Sequence, residues 1–158
     1  MKFRSLFAFG LLLVVAAFGV ATAHEYTVGG IKVVHPWTRA TPTGATTAVA
    51  YLKVTNTGTK PLRLTGGSTT VAERVEIHSM SMDGGVMKMR PVPGIDIAPG
   101  ATVELKAGGM HLMLIGLNKA LMQEDLVPLT LTFADGSKID VELYVEGMGG
   151  GMSPHDHS

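Results

Sequence analysis

The stretch Gly108-Gly109-Met110-His111-Leu112-Met113-Leu114-Ile115-Gly116-Leu117 predicts a buried β-strand, because it is apolar almost throughout and begins at a pair of glycines. His111 is the one polar side chain in it. Since alternate residues of a strand share a face, His111 and Met113 are predicted to lie side by side. This stretch alone leaves two interpretations open: a core strand with one hydrogen-bonded histidine, or part of a metal site.

Short β-strands are predicted on both sides of this stretch. Alternating apolar residues and turn signals place them at 31–39, 45–56, 62–64, 71–78, 86–92, 102–106, 127–133 and 138–145. Residues 79–85 are predicted to form a methionine-containing turn or hairpin loop, and residues 118–125 a loop or a single helical turn. Frequent turn signals without a long helical pattern indicate an all-β fold: a single antiparallel Greek-key sandwich or barrel.

The two ends of the chain differ in composition from its middle. Lys2 and Arg4 precede an apolar run, and the small residues at 21–23 are typical of a cleavage site, so we expect residues 1–23 to be a signal peptide cleaved after Ala23. The run is short for a membrane span, and the absence of cysteine excludes lipid anchoring. We expect residues 24–146 to form one β domain and residues 147–158 a flexible tail rich in methionine and histidine.

The composition excludes several classes of function. A chain without cysteine has no disulfide framework and no thiolate for catalysis, and it cannot form a blue-copper site. Without residues 1–23, eleven basic residues stand against thirteen acidic ones, a net charge of −2. No basic patch indicates a nucleic acid or an anionic membrane surface as a partner. The methionines, in contrast, cluster near the few histidines.

Two histidines and two methionines stand at defined spacings: His78, ten residues, Met89, twenty-one residues, His111, one residue, Met113. Core filling is the usual role of methionine, but Met80 and Met82 lie in a polar segment and Met89 alternates with charged residues. Two imidazoles and two thioethers without a thiolate favour copper(I), because soft sulfur ligands select this closed-shell ion. Zinc sites use cysteine, histidine or carboxylate instead.

With these residues and spacings, the chain resembles the periplasmic copper chaperone family PCuAC, whose signature is His-x10-Met-x21-His-x-Met. The resemblance covers most of the chain after residue 23, through segments 36–42, 51–56, 75–78, 108–114 and 127–133. In one loop the chain departs from the family pattern, since Glu124 stands where a glycine is usual.

The resemblance implies a cupredoxin-like (immunoglobulin-like) β-fold and a periplasmic, monomeric protein without catalytic activity. It implies that His78, Met89, His111 and Met113 hold one copper(I) ion. It also implies delivery of copper to the copper-centre subunit of cytochrome c oxidase, together with Sco-like thioredoxin-fold proteins. We expect neither nucleic-acid binding nor membrane insertion after cleavage.

Secondary copper candidates lie outside these four residues. The tail is expected to bind a second copper, as Cu(II), and the full set of candidates is Met148, Met152, His155, His157, His24, Met80 and Met87. His35 is predicted to be structural or exposed. Three alternatives stay open: a periplasmic copper storage or detoxification protein, a binding module that holds no metal, and a copper enzyme that uses His24 as its N-terminal ligand. That enzyme needs a second histidine nearby, and nothing in the sequence places one there.

Overall fold

The computed structural model describes residues 24–149, and the expected signal peptide lies outside them. The described chain is all-β, as predicted, with eleven strands. They are β1 (Glu25–Val28), β2 (Ile31–Arg39), β3 (Thr47–Asn56), β4 (Leu62–Ser68), β5 (Ala72–Asp83), β6 (Val86–Pro91), β7 (Ile95–Ile97), β8 (Thr102–Leu105), β9 (His111–Leu117), β10 (Leu126–Phe133) and β11 (Lys138–Glu146).

Seven of these strands close into a barrel. Their order is β2, β11, β10, β4, β5, β9 and β3, and β3 pairs again with β2. All neighbours are antiparallel except β11 and β2, which run parallel where Tyr144 meets Trp37. The other four strands extend the barrel at its edges: β1 pairs with β2, β6 with β5, β7 with β4 and β8 with β3.

The hydrophobic core fills the inside of the barrel with alternate residues of each strand. In β11, for example, every second residue from Ile139 to Val145 is buried and the residues between them are exposed. Leu112 and Leu114 of β9 are fully buried in the same core. Each such leucine contributes about 1.5–3 kcal/mol by leaving water. The apolar stretch 108–117 therefore does form a core strand, β9, as its composition predicts.

The hairpin of β5 and β6 differs from the prediction. Residues 79–83 are not a loop, because β5 continues to Asp83. Its residues 78–83 pair with all six residues of β6. The turn is confined to Gly84 and Gly85, both with positive φ (58° and 79°), as a tight two-residue hairpin turn requires. Pairing with β6 thus keeps a polar segment extended. β1 and β7 were not predicted either, because strands of four and three residues show too little alternation.

The connection between β9 and β10 is a loop without a helical turn. In it, Glu124 has a φ of 73°, the left-handed conformation that glycine adopts without a steric penalty. Its amide donates a hydrogen bond to the carbonyl oxygen of Val145 at 2.9 Å. The loop therefore keeps the backbone shape suited to glycine although a glutamate occupies the position.

Candidate metal centre

The β5–β9 register brings the two predicted histidines together. His78 and His111 are direct cross-strand partners, and their ring centroids lie 6.0 Å apart with the planes inclined by 44°. Two residues further on, Glu76 is the partner of Met113. Because side chains alternate between the faces of a strand, these two pairs share the face that is turned away from the core. The pair between them, Ile77 and Leu112, packs inside the barrel.

Met89 reaches the same face from β6. Its direct partner is Met80, and the partner of His78 on β6 is Pro91, so Met89 is diagonal to His78. Diagonal neighbours in an antiparallel pair are about 7–8 Å apart, within reach of a long side chain. Met89 is 48% exposed, whereas His111 is only 2% exposed. The four predicted residues thus lie on one face of the sheet formed by β6, β5 and β9.

Each imidazole has one nitrogen facing a protein acceptor and one without a partner. His78 Nε2 lies 3.0 Å from Glu76 Oε2, and His111 Nδ1 lies 3.2 Å from the carbonyl oxygen of Gly109. A carbonyl only accepts, so His111 Nδ1 donates and its Nε2 carries the lone pair. Among the described residues, His78 Nδ1 and His111 Nε2 are buried without any hydrogen-bond partner. An unpaired buried polar atom costs about 1–3 kcal/mol, and a bound metal ion would offset this cost, so the two nitrogens are candidate metal ligands.

Glu76 fixes the orientation of His78. The hydrogen bond with His78 lowers the pKa of the Glu76 carboxyl, and Arg74, whose Nε lies 3.2 Å from Glu76 Oε1, lowers it further. The ionised carboxylate accepts only, so His78 Nε2 is the donor and Nδ1 is left with its lone pair. Carboxylates commonly hold metal-binding histidines in this way. Sequence reasoning missed Glu76, although its position two residues before His78 on the same strand face was a usable signal.

The donor atoms of this face suit a soft metal ion. Two imidazoles and two thioethers lie on it, and no charged oxygen belongs to the predicted set. Within residues 24–149, no three side chains of histidine, cysteine, aspartate or glutamate come together as a metal site. The arrangement therefore offers copper(I) the ligands it prefers, and it does not offer the ligand set of a usual zinc site.

The secondary candidates lie at different distances from this face. Met80 is directly opposite Met89, and Met87, paired with Met82, lies one step nearer the hairpin tip. Met148 is 64% exposed and lies against the loops at 40–43 and 120–123, at the barrel end where β9 finishes. The length of β9 separates that end from His111 by about 20 Å. The other tail candidates, Met152, His155 and His157, lie outside the described residues.

A second histidine does lie near His24, which the sequence did not indicate. The carbonyl oxygen of His24 accepts a hydrogen bond from the amide of His35 at 3.0 Å, because β1 folds back antiparallel on β2. His35 sits at a bulge of β2 with a φ of 52°, and its side chain is exposed. The prediction that His35 is structural or exposed is thus confirmed.

Comparison with known proteins gives a family, a relative and several solved structures. The family described as "Putative lipoprotein LpqE-like" matches residues 31–145. A protein of Leifsonia xyli subsp. xyli named "Putative lipoprotein Lxx21020" is 31% identical over 122 residues, which cover 77% of this chain and 72% of the relative.

Two solved structures with a similar fold contain copper according to their descriptions. "Copper-bound PCuAC domain from PmoF2" is 30% identical, with a TM-score of 0.67, and the match covers 78% of this chain and 98% of that domain. "Solution structure of CuI-DR1885 from Deinococcus radiodurans" is 30% identical, with a TM-score of 0.56, covering 84% and 85%. The cupredoxin-like fold is thereby confirmed.

The description of the matching family bears on where the protein acts. Relatives described as lipoproteins agree with an exported protein, although this sequence contains no cysteine to carry a lipid. Among residues 24–149, no helix is long and apolar enough to cross a membrane.

Proposed function

The chain belongs to the LpqE-like family, and from this premise we propose that it is a periplasmic copper(I) metallochaperone. His78, Met89, His111 and Met113 would bind one copper(I) ion as cargo, without catalytic turnover. The likeness to copper-bound PCuAC domains supports a role in copper handling.

The observation that carries this proposal is the pair of buried, unpartnered ring nitrogens. His78 Nδ1 and His111 Nε2 belong to residues paired directly across β5 and β9, and the other nitrogen of each ring faces an oxygen. Because an oxygen holds one nitrogen of each ring, the other nitrogen is left for a ligand, which is how proteins prepare histidines for metals. A histidine that served only packing would more commonly have both nitrogens satisfied.

Release of the ion follows from the exposure of the ligands. Met89 is about half exposed and His111 is almost fully buried, so an acceptor reaches the thioether first and the imidazole last. A donor atom of the acceptor replaces one sulfur at a time, and copper stays in the +1 state throughout. A thioether has no proton to gain or lose in this exchange.

The acceptor we propose is the copper-centre subunit of cytochrome c oxidase, with Sco-like thioredoxin-fold proteins acting alongside. We also propose that the tail holds a second copper, as Cu(II), through Met148, Met152, His155 and His157. Storage or detoxification is the alternative to delivery, and transfer of copper from the loaded protein to the copper-free subunit separates the two. Retention of copper in that mixture would favour storage.

Competition with a copper(I) chelator tests the core site. His111→Ala and Met113→Ala should each weaken copper(I) binding, because each removes a donor atom. Matched controls are His35→Asn, at an exposed histidine whose positive φ asparagine tolerates, and Met122→Leu, at an exposed methionine outside the hairpin. A chain ending at Glu146, measured in parallel, counts tail copper separately. Wild-type affinity in both site variants would overturn the proposal.

A further inference from the structure

One face of the β5–β6 hairpin carries only methionine beyond His78. Met80 is paired with Met89 and Met82 with Met87, so four thioethers form two successive cross-strand pairs. Because every second residue of a strand lies on the same face, both pairs continue the face that carries His78. We propose that this thioether face is a second, transient copper(I) site, through which the ion passes to and from the core site. The inference rests on the proposed function.

Packing does not account for these side chains. Met82 is 66% exposed, Met87 59% and Met89 48%, so about half or more of each of these three side chains faces water. Strand propensity does not account for them either, since β-branched and aromatic residues are favoured in exposed strands. Exposed thioethers on two paired strands are therefore better explained by a ligand that sulfur recognises. Copper(I) is such a ligand, because soft thioethers select it.

The two faces of the hairpin are chemically separate. The opposite face pairs Ser79 with Arg90 and Ser81 with Lys88, and the amine of Lys88 donates to Asp83 at 2.9 Å. All charged side chains of the hairpin residues 79–90 thus lie on that face, leaving the thioether face neutral. A neutral face of thioethers does not bind the divalent cations that carboxylates bind, but it can bind a soft monovalent ion.

The thioether face ends at the two unpartnered imidazole nitrogens. Moving from the hairpin tip toward the barrel, Met82 and Met87 come first, then Met80 and Met89, then His78 beside His111. Successive pairs on one face are about 7 Å apart along a strand. Copper(I) can therefore move stepwise, forming one copper–sulfur bond as another breaks. No electron or proton is transferred in such a step.

Methionine-methyl NMR and unloading kinetics on the full-length protein test this inference. Silver(I) serves as a redox-inert probe with the same preference for sulfur. The first equivalent should shift the methyl signals of Met89 and Met113, and further silver should shift those of Met82 and Met87. The double variant Met82→Leu, Met87→Leu should keep wild-type copper(I) affinity at the core site but release copper to a chelator severalfold more slowly. Leucine and methionine have similar volumes, so the fold is retained.

Met122→Leu is the matched control, because Met122 is 61% exposed and lies outside the hairpin. It should release copper at the wild-type rate. Unmoved Met82 and Met87 signals together with an unchanged release rate in the double variant would overturn the inference, and would leave the face as an apolar surface for a protein partner. A failure of the proposed function has a different signature, since the first equivalent would then not shift Met89 and Met113.

Discussion

Glu76 shows how a carboxylate at the protein surface determines which nitrogen of a neighbouring histidine is available. By accepting from His78 Nε2 at 3.0 Å, it leaves Nδ1 with the lone pair. The depressed pKa of Glu76 follows first from this hydrogen bond and then from Arg74. The charge therefore stays on the carboxylate, and the orientation of the ring persists without a metal ion.

Replacing Glu76 should weaken copper(I) binding although the residue is not among the proposed ligands. We expect Glu76→Ala to reduce the affinity by about tenfold, the lower end of the range for partners behind metal-binding histidines. Glu76→Gln keeps an oxygen that can accept from Nε2 and should lose less. Chelator competition measures the affinity, and ¹⁵N chemical shifts report which nitrogen of His78 carries the proton. Wild-type affinity and an unchanged tautomer in Glu76→Ala would contradict this role.

The strands of the barrel show what can and cannot be predicted from this sequence. Alternation identifies β2, β3, β10 and β11 nearly to their ends, because buried residues recur at every second position, whereas β9 is identified by its continuous apolar run. The end of β5 is not predictable in this way, because Ser79-Met80-Ser81-Met82-Asp83 contains no strong strand former and is extended only by pairing with β6.

The candidate site also has a part that the sequence predicts and a part that it does not. The spacing of His78, Met89, His111 and Met113 indicates a copper site without coordinates. Strand periodicity places Glu76 on the face of His78, but its contact with the ring depends on side-chain orientation. The contact of His111 with the carbonyl oxygen of Gly109 depends on the turn before β9.

Gly67 of β4 allows β4 and β10 to approach each other closely. It is paired with Val75 on one side and with Leu131 on the other. A Cβ atom at Gly67 would lie 2.5 Å from the carbonyl oxygen of Thr130, which is backbone and cannot move aside cheaply. β4 and β10 would therefore separate if this residue carried a side chain.

Gly67→Ala should accordingly lower the free energy of unfolding by about 1–3 kcal/mol, the usual cost of overpacking. Urea denaturation followed by circular dichroism measures this difference. Gly58→Ala is the control, since a Cβ atom there makes only ordinary contacts, the nearest at 3.4 Å. Equal stability of the two variants would show that β4 and β10 adjust without cost.

The barrel as a whole carries the energetic cost of its site. The apolar interior stabilises the fold, while two buried nitrogens without partners destabilise it. Copper binding offsets this cost, because a ligand that binds only the folded state stabilises it, by about 2.7 kcal/mol when present at a hundred times its dissociation constant. In the copper-free protein, the nitrogens kept unpaired for the metal therefore lower the stability of the fold.

His111→Leu should make the copper-free protein more stable by about 1 kcal/mol, since the gain from removing the unsatisfied, buried Nε2 exceeds the loss of the 3.2 Å hydrogen bond from Nδ1 to the carbonyl oxygen of Gly109. Copper(I) should raise the melting temperature of the wild type and not that of the variant. Thr38→Val is the control, because the hydroxyl of Thr38 is buried but satisfied, donating to the carbonyl of Val49 at 2.6 Å. Its loss should lower the melting temperature. A copper-free His111→Leu protein less stable than wild type would contradict this account.

The parallel pairing of β2 and β11 sets the order of events in time. These strands are paired at Trp37 and Tyr144, and they come from near the two ends of the described chain. Within the described residues, β11 is the strand that links β2 to β10 and so closes the barrel. During synthesis β2 must wait until β11 has been made before this partner exists, whereas β5, β6 and β9 are available to one another earlier. Contacts between distant parts of a chain also form slowly. Barrel closure is therefore expected to be the last step of folding, completed only after the strands that carry the histidines have met.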